Sequence, residues 1–325
     1  MRNNLMRAMV TACAGLLSSM VAQAGVPFSA GDVFVAGANG MIQEFSQTGT
    51  LLDTLTGGGG YQTGMAFDGS GNLYSTSFSQ STITAFDHTS GAALSPNPYV
   101  ANDPGAHNES IAFAQNGNFF VGQPDGTRNI LERNSAGTLV GTFSVATGPR
   151  GSDWIDLAAD QKTLYYTSEG NNIYRYDTST SSQLANFNVA ALPGSSAFAL
   201  RILANGNVLV ADSSVIVELD SSGNQIKTYG STLRVGTFFA LNIDPNGTSF
   251  WTADITGHVY EFDIATGAVL ENWSPGANNG SYGLAVAGEL TVGGPPQTVP
   301  DGGSTLVLLG MGSAGLLALR RKLQA

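Results

Sequence analysis

Residues 200–224 read "LRILANGNVLVADSSVIVELDSSGN". Three short runs rich in Val, Leu and Ile are separated by Asn205-Gly206-Asn207 and by Asp212-Ser213-Ser214. A third turn, Asp220-Ser221-Ser222-Gly223, closes the stretch. Runs this short, bounded by Gly, Asn, Asp and Ser, read as strands joined by tight turns. An isolated hairpin is marginal in water, so the fold depends on whether the unit repeats.

It does repeat. The first hairpin recurs as "GMAFDGSGNLYSTS" from Gly64, "SIAFAQNGNFFVGQ" from Ser110, "IDLAADQKTLYYTSEG" from Ile155 and "LNIDPNGTSFWTADI" from Leu241. One apolar position of each first strand falls at Phe67, Phe113, Leu157, Ile202, Ile243 and, in "GLAVAG", Val286, at intervals of 46, 44, 45, 41 and 43 residues. The second hairpin recurs as "IQEFSQTG", "ITAFDHTSG", "ILERNSAG", "IYRYDTST", "IVELDSSG" and "VYEFDIATG". Its turn residues are Ser46, Asp87, Asn134, Asp177, Asp220 and Asp263. Two hairpins per period of roughly 43 residues predict a four-stranded blade, and six second hairpins predict an all-β, six-bladed β-propeller.

The ends of the repeat agree with a ring. "DVFVA", "IQEFS" and "TLLDTL" give three strands between Asp32 and Leu55 with no inner strand before them. "GLAVAG", from Gly283 to Gly288, is an inner strand with no blade after it. Pairing the two closes one blade with strands from both chain ends and leaves no sheet open. An immunoglobulin-like array, the main rival, has no reason to leave three strands over at one end and one at the other.

Composition limits the partners. Of 13 Lys/Arg and 24 Asp/Glu, five basic residues and Asp301 lie in the terminal segments. That leaves 8 against 23 between Gly25 and Pro300, a formal charge of −15. Nucleic acid and anionic lipid bind through Lys and Arg, so neither suits this body. The one cysteine is Cys13, so the chain after residue 24 has no thiol chemistry or disulfide.

The two ends read as an address. Arg2 and Arg7 precede an apolar stretch, Ala8 to Val21, and Ala22-Gln23-Ala24 gives a small-x-small cleavage pattern, so residues 1–24 read as a signal peptide. A lipoprotein box at Val10 to Cys13 is the competing reading. At the other end, Thr305 to Leu319 is apolar and Arg320, Arg321 and Lys322 follow it. Fifteen residues span about 22 Å as a helix, short of the roughly 30 Å of a bilayer core. The basic cluster puts the C-terminus on the cytoplasmic side. "VPDGGSTLVLLGMGSAGLLALRRK", from Val299 to Lys322, resembles the PEP-CTERM sorting tail in its VPDSG-type variant. Val299, Pro300, Asp301, Ser304, Leu308, Leu309, Gly310, Arg320 and Arg321 match in order. Asp301 stands where the commonest form has Glu, and Gly302 where it has a second Pro. The resemblance implies a partner, a membrane-embedded exosortase-type sorting enzyme, in a Gram-negative-type bacterium that makes exopolysaccharide. A plain membrane anchor is the other reading of the tail. The expected divisions are therefore a signal peptide (1–24), the propeller (25–293), a linker with the start of the sorting motif (294–303) and a short apolar helix with a basic end (304–325).

Asn207 to Gly223 resembles an NHL-type blade, and the body is more weakly similar to streptogramin-lyase and gluconolactonase-type propellers. In a propeller, the loops before each inner strand and after each second strand share one face around the central channel. The tight hairpin turns lie on the other. That plan places Glu109, Asp125, Asp153, Glu169, Asp212 and Asp254 on the loop-rich face, with Arg128, Arg150 and Arg234. A gluconolactonase-type likeness implies that some of these carboxylates converge on a divalent cation such as Ca2+. Glu109 in "HNES" and Asp153 in "GSDW" are best placed, with Asn108 as a neutral donor and Arg150 as a clamp. Against this, Asp212 and Asp254 recur at one blade position, where an Asp caps a loop through the backbone. His88, His107 and His258 have no ligand spacing, and no GxSxG occurs after residue 24. Trp154, Trp251 and Trp273 suit either a blade core or a sugar-stacking surface. Three functions fit: a non-catalytic surface or matrix protein that binds extracellular polysaccharide or a surface protein, a cation-dependent hydrolase or lyase, and a structural envelope component.

Overall fold

The structure, a computed structural model, describes residues 25–105, 107–233, 236–276 and 280–297. The predicted signal segment with Ala22 and Ala24, Arg234, and the tail with Val299, Pro300, Asp301, Ser304, Arg320 and Arg321 lie outside the described residues.

Strands covered on both faces need near-continuous apolar runs, and the strands around the axis have them. The first blade along the chain contributes β1 (Val33–Ala36), β2 (Ile42–Phe45) and β3 (Leu51–Leu55). The second holds β4 (Gln62–Phe67), β5 (Leu73–Ser77) and β6 (Thr82–Phe86). The third holds β7 (Ser110–Phe113), β8 (Phe119–Gly122), β9 (Ile130–Arg133) and β10 (Leu139–Phe143). The fourth is β11 (Ile155–Leu157), β12 (Thr163–Tyr166), β13 (Tyr174–Asp177) and β14 (Ser182–Leu184). The fifth is β15 (Ala197–Ile202), β16 (Val208–Asp212), β17 (Val215–Leu219) and β18 (Gln225–Tyr229). The sixth is β19 (Phe238–Ile243), β20 (Ser249–Asp254), β21 (Val259–Asp263) and β22 (Val269–Trp273), and β23 (Gly283–Val286) follows. Each sheet is antiparallel, and all but the first run in chain order outward from the inner strand. The inner strands β4, β7, β11, β15, β19 and β23 touch one another in sequence and close a ring. Their last residues are Phe67, Phe113, Leu157, Ile202, Ile243 and Val286, the positions whose spacing marked the repeat.

β23 pairs with β1 in the register Val33↔Val286, Phe34↔Ala285, Val35↔Leu284 and Ala36↔Gly283, so the first blade takes its inner strand from the far end of the repeat. The expected closure is present. One blade departs from the four-strand expectation. In the second, the segment after β6 meets it only through isolated bridges, Ile83↔Val100 and Phe86↔Ala93. Pro96 and Pro98 lie between those bridges and have no N–H to give to a ladder.

Turn chemistry explains the regularity of the second hairpins. Oδ1 of Asp87, Asn134, Asp177 and Asp220 accepts from the backbone N–H two residues on, at 3.1, 3.0, 2.9 and 2.9 Å. Oδ1 of Asp263 accepts from Thr266 N at 2.6 Å. These side chains satisfy the turn locally, which is why the position recurs. Aromatic rings fill the spaces between blades. Between the sixth and first, Trp273 packs 4.9 Å from Phe45 and donates to the Gln47 carbonyl at 3.0 Å. Gly49, at φ 77°, lies so near that indole that a Cβ would sit 2.6 Å from it.

Candidate ligand site at the loop-rich face

Inner strands begin at the loop-rich end, so the residues just before or at their starts surround the channel mouth. Glu109 precedes β7, and its N–H donates to the Gly122 carbonyl at 2.9 Å. Asp153 precedes Trp154 and β11, and its N–H donates to the Thr167 carbonyl at 3.0 Å. Ser110 Oγ donates to the Asp153 carbonyl at 2.6 Å and ties the two neighbouring blades together at this point.

Both carboxyls are buried, and Glu109 Oε2 and both Asp153 oxygens have no hydrogen-bond partner. Burial pushes Glu109 up to about 8. The Arg150 charge opposes that shift, and Glu169 and Asp125 add to it. Asp153 is held well above the usual carboxylate range, first by burial and then by the charge of Glu109. The structure therefore brings Glu109 and Asp153 together as a buried, proton-holding pair.

Arg150 does not bond to that pair. Its guanidinium bridges Asp125, through Nη2 and through Nε at 3.2 Å, and Glu169, through Nη1 at 2.6 Å. It also lies 5.5 Å over the Phe78 ring. A planar, five-donor group suits such a bridge between two loops. Arg128 is exposed on the loop that carries Asp125.

The other candidates lie in local networks. Asn108 Nδ2 donates to Asp103 at 2.6 Å, and its Oδ1 accepts from Gln123 at 3.3 Å. Asp103 in turn is paired with Arg133. Asn108 is thus committed to loop structure. Asp212 accepts the Gly194 N–H. Asp254 Oδ1 accepts from Thr256 N at 2.8 Å, Thr256 Oγ1 at 2.6 Å and His258 N at 3.2 Å, and its Oδ2 accepts from Gly236 N at 3.3 Å. Asp212 and Asp254 end second strands and cap loops. Among the described residues no group of three or more His, Cys, Asp or Glu is placed to hold a metal ion.

A ring of aromatic side chains completes the mouth. Trp154 meets Phe239 edge to face at 5.9 Å, and Phe198 meets Phe239 at 4.9 Å. Phe239 meets Tyr282 at 5.8 Å, and Tyr282 meets Tyr61 at 6.0 Å. These residues come from the starts of the inner strands of the fourth, fifth, sixth, first and second blades. The third blade supplies Glu109 instead. Register shifts at the starts of β4, β15 and β19 re-aim side chains there. Phe238 consequently packs into the blade against Tyr260 at 5.9 Å, while its neighbour Phe239 reaches the channel. Trp154 is 1% exposed with its Nε1 unpartnered, and Tyr61 is 46% exposed. Trp251 and Trp273 belong to the blade core and to the interface between the sixth and first blades.

Tyr61 is the exposed member of this set, while the carboxyl pair and the Trp154 indole are buried. Residues 298–323 match the family model described as the VPDSG-CTERM motif. That match is consistent with an exported, cell-envelope-associated protein and implies processing by an exosortase-like sorting enzyme. No curated protein matches the chain. Among solved structures, it is similar to the crystal structure of the WD40 beta propeller domain of Doa1. The identity is 14%, the TM-score 0.59, and the match covers 79% of this chain and 83% of that chain. At that identity the likeness concerns the propeller fold alone, not the NHL- or gluconolactonase-like subtype.

Proposed function

We propose that this protein is an envelope-sorted propeller that binds an extracellular polysaccharide at the channel mouth of its loop-rich face without turning it over. The supporting observation is the run of aromatic side chains at the mouth, with Tyr61 46% exposed, beside the buried, unpartnered polar atoms Glu109 Oε2, Asp153 Oδ1 and Oδ2 and Trp154 Nε1. Ligand sites combine an apolar wall with a few convergent polar groups. A protonated carboxyl both donates and accepts, which matches a sugar hydroxyl. The purified exported protein should therefore retain a polysaccharide of the producing cell in a glycan-binding screen. Tyr61→Ala should weaken that binding about five- to tenfold, as expected for losing one aromatic contact. Absence of glycan binding, or binding that Tyr61→Ala leaves unchanged, would refute this reading.

The adjacency of Glu109 and Asp153 also favours a second reading, a Ca2+-dependent hydrolase or lyase. In that case a cation between the two carboxyls would polarise a carbonyl or a water. Asn108 Oδ1 accepts only one long bond, from Gln123 at 3.3 Å, so in this reading it would be the neutral third oxygen at the expense of that bond.

A further inference from the structure

Beyond β23 the chain crosses the base of the channel. Gly288 sits between Pro245 and Ala30. Glu289 is then buried: its Oε1 accepts from Arg201 Nε at 2.8 Å and Ile243 N at 2.9 Å, and its Oε2 accepts from Asn242 Nδ2 at 2.7 Å. The strap next reaches the fourth blade, where Gln161 Nε2 donates to the Gly293 carbonyl at 2.8 Å and a Cβ on Gly293 would fall 2.1 Å from the Leu157 carbonyl. Gly294 passes the Phe113 carbonyl of the third blade, and Pro295 lies against Gly69 of the second. Gln297 Nε2 then donates to the Phe67 carbonyl at 3.2 Å. Residues 294–297, the start of the expected linker, therefore rest on the tight-turn face.

The matched sorting motif begins at the next residue, 298. Seven residues, 298–304, separate Gln297 from Thr305, where the apolar run starts, and they reach at most about 25 Å when fully extended. Gln297 lies at the end of an inner strand, so reaching the loop-rich side would take about 14 Å outward past strands spaced about 4.8 Å apart and then roughly 14–20 Å along them, more than that reach allows. We propose that the tight-turn face is the membrane-proximal face, held there by the strap Glu289–Gln297, so that the aromatic mouth points away from the cell. The inference rests on the reading of the tail as membrane-held and is independent of what the mouth binds.

The native cysteine, Cys13, lies in the segment predicted to be removed, so single cysteines can report each face. Gln80→Cys marks the loop-rich face and Ala204→Cys the tight-turn face, and both native residues are exposed. The full chain is expressed in a host without the sorting enzyme, and spheroplasts are labelled with a bulky maleimide–polyethylene glycol. Detergent-solubilised protein provides the reference rate. The expected result is a several-fold slowing at Ala204→Cys and none at Gln80→Cys. Inserting about ten Gly/Ser residues after Gln297 adds up to about 33 Å of reach and should remove the slowing. Membrane-bound protein with equal rates at both faces, or slowing that survives the insertion, overturns the orientation alone. Protein found wholly in the soluble fraction overturns the tail reading and the orientation with it.

Discussion

Glu109 and Asp153 are carboxyls that keep their protons because burial penalises the charged form, and for Asp153 the charge of Glu109 adds to it. The consequence for stability has a definite sign. An unfolded Glu ionises near its ordinary value of 4.5, whereas folded Glu109 holds its proton up to about 8. Between those values the native state binds more protons, so rising pH favours unfolding. The melting temperature should fall between pH about 5 and about 8.5, and Glu109→Gln with Asp153→Asn should make that fall smaller. Glu44, pushed up to about 9 by burial and then by Asp32, and Asp156, pushed up to about 6 by burial, act in the same direction and contribute to the slope that remains, as do Asp212 and Glu261, both raised first by burial. Thermal melts of the two proteins across that range check this. Calcium separates the two functional readings at the same residues. The polysaccharide reading expects no change in melting temperature on adding Ca2+. A rise that the double variant abolishes would favour the cation-dependent reading, since a ligand that binds the native state stabilises it.

At the scale of the strand, small residues decide how closely inner strands approach. Gly283 opens β23, and a Cβ there would fall 2.0 Å from the Thr63 carbonyl and 3.1 Å from the Ala36 Cβ. Gly283→Ala should therefore destabilise the domain by about 1–3 kcal/mol through overpacking, readable as a lower urea midpoint. The blade positions of Glu109 and Asp153 were legible in the sequence because each immediately precedes an apolar inner-strand motif. The aromatic ring was not. Phe238 and Phe239 are consecutive apolar residues that read alike, and only the register shift at the start of β19 sends one inward and the other to the channel. The partners of Asn108 were not legible either. Its partners, Asp103 and Gln123, stand 5 and 15 residues away, and nothing in the local pattern announces that they converge.

For the molecule as a whole, the strap is fastened by a buried ion pair. Arg201 and Glu289 have side chains each 4% exposed, and the charges of Glu289 and Asp156 hold the Arg201 guanidinium in its charged form against burial. Removing one partner strands the other charge in a low-dielectric interior. Arg201→Met or Glu289→Met alone should cost about 3–5 kcal/mol, while the two together should cost less than either single change. Chemical denaturation of the three variants measures this. A strap that contributed nothing to the fold would leave the single and double variants equal.

The sequence by itself determined the blade period, the number of blades, the strand that closes the ring and the turn residue of every second hairpin. All of these are local patterns repeated six times, and a period of about 43 residues averages out single exceptions. It also carried the sorting motif at residues 298–323, a contiguous signal that needs no fold to be read. Only the tertiary structure decided that Arg150 serves Asp125 and Glu169 rather than the buried pair, that aromatics from five blades form one ring, and that "ELTVGGPPQ" is a fastened strap. Those facts depend on residues far apart in the chain meeting at the ends of the channel. A Gly- and Pro-rich stretch has the composition of a linker, and it becomes a strap because Arg201, Asn242, Gln161 and Phe67 come together beneath it from four different strands and turns.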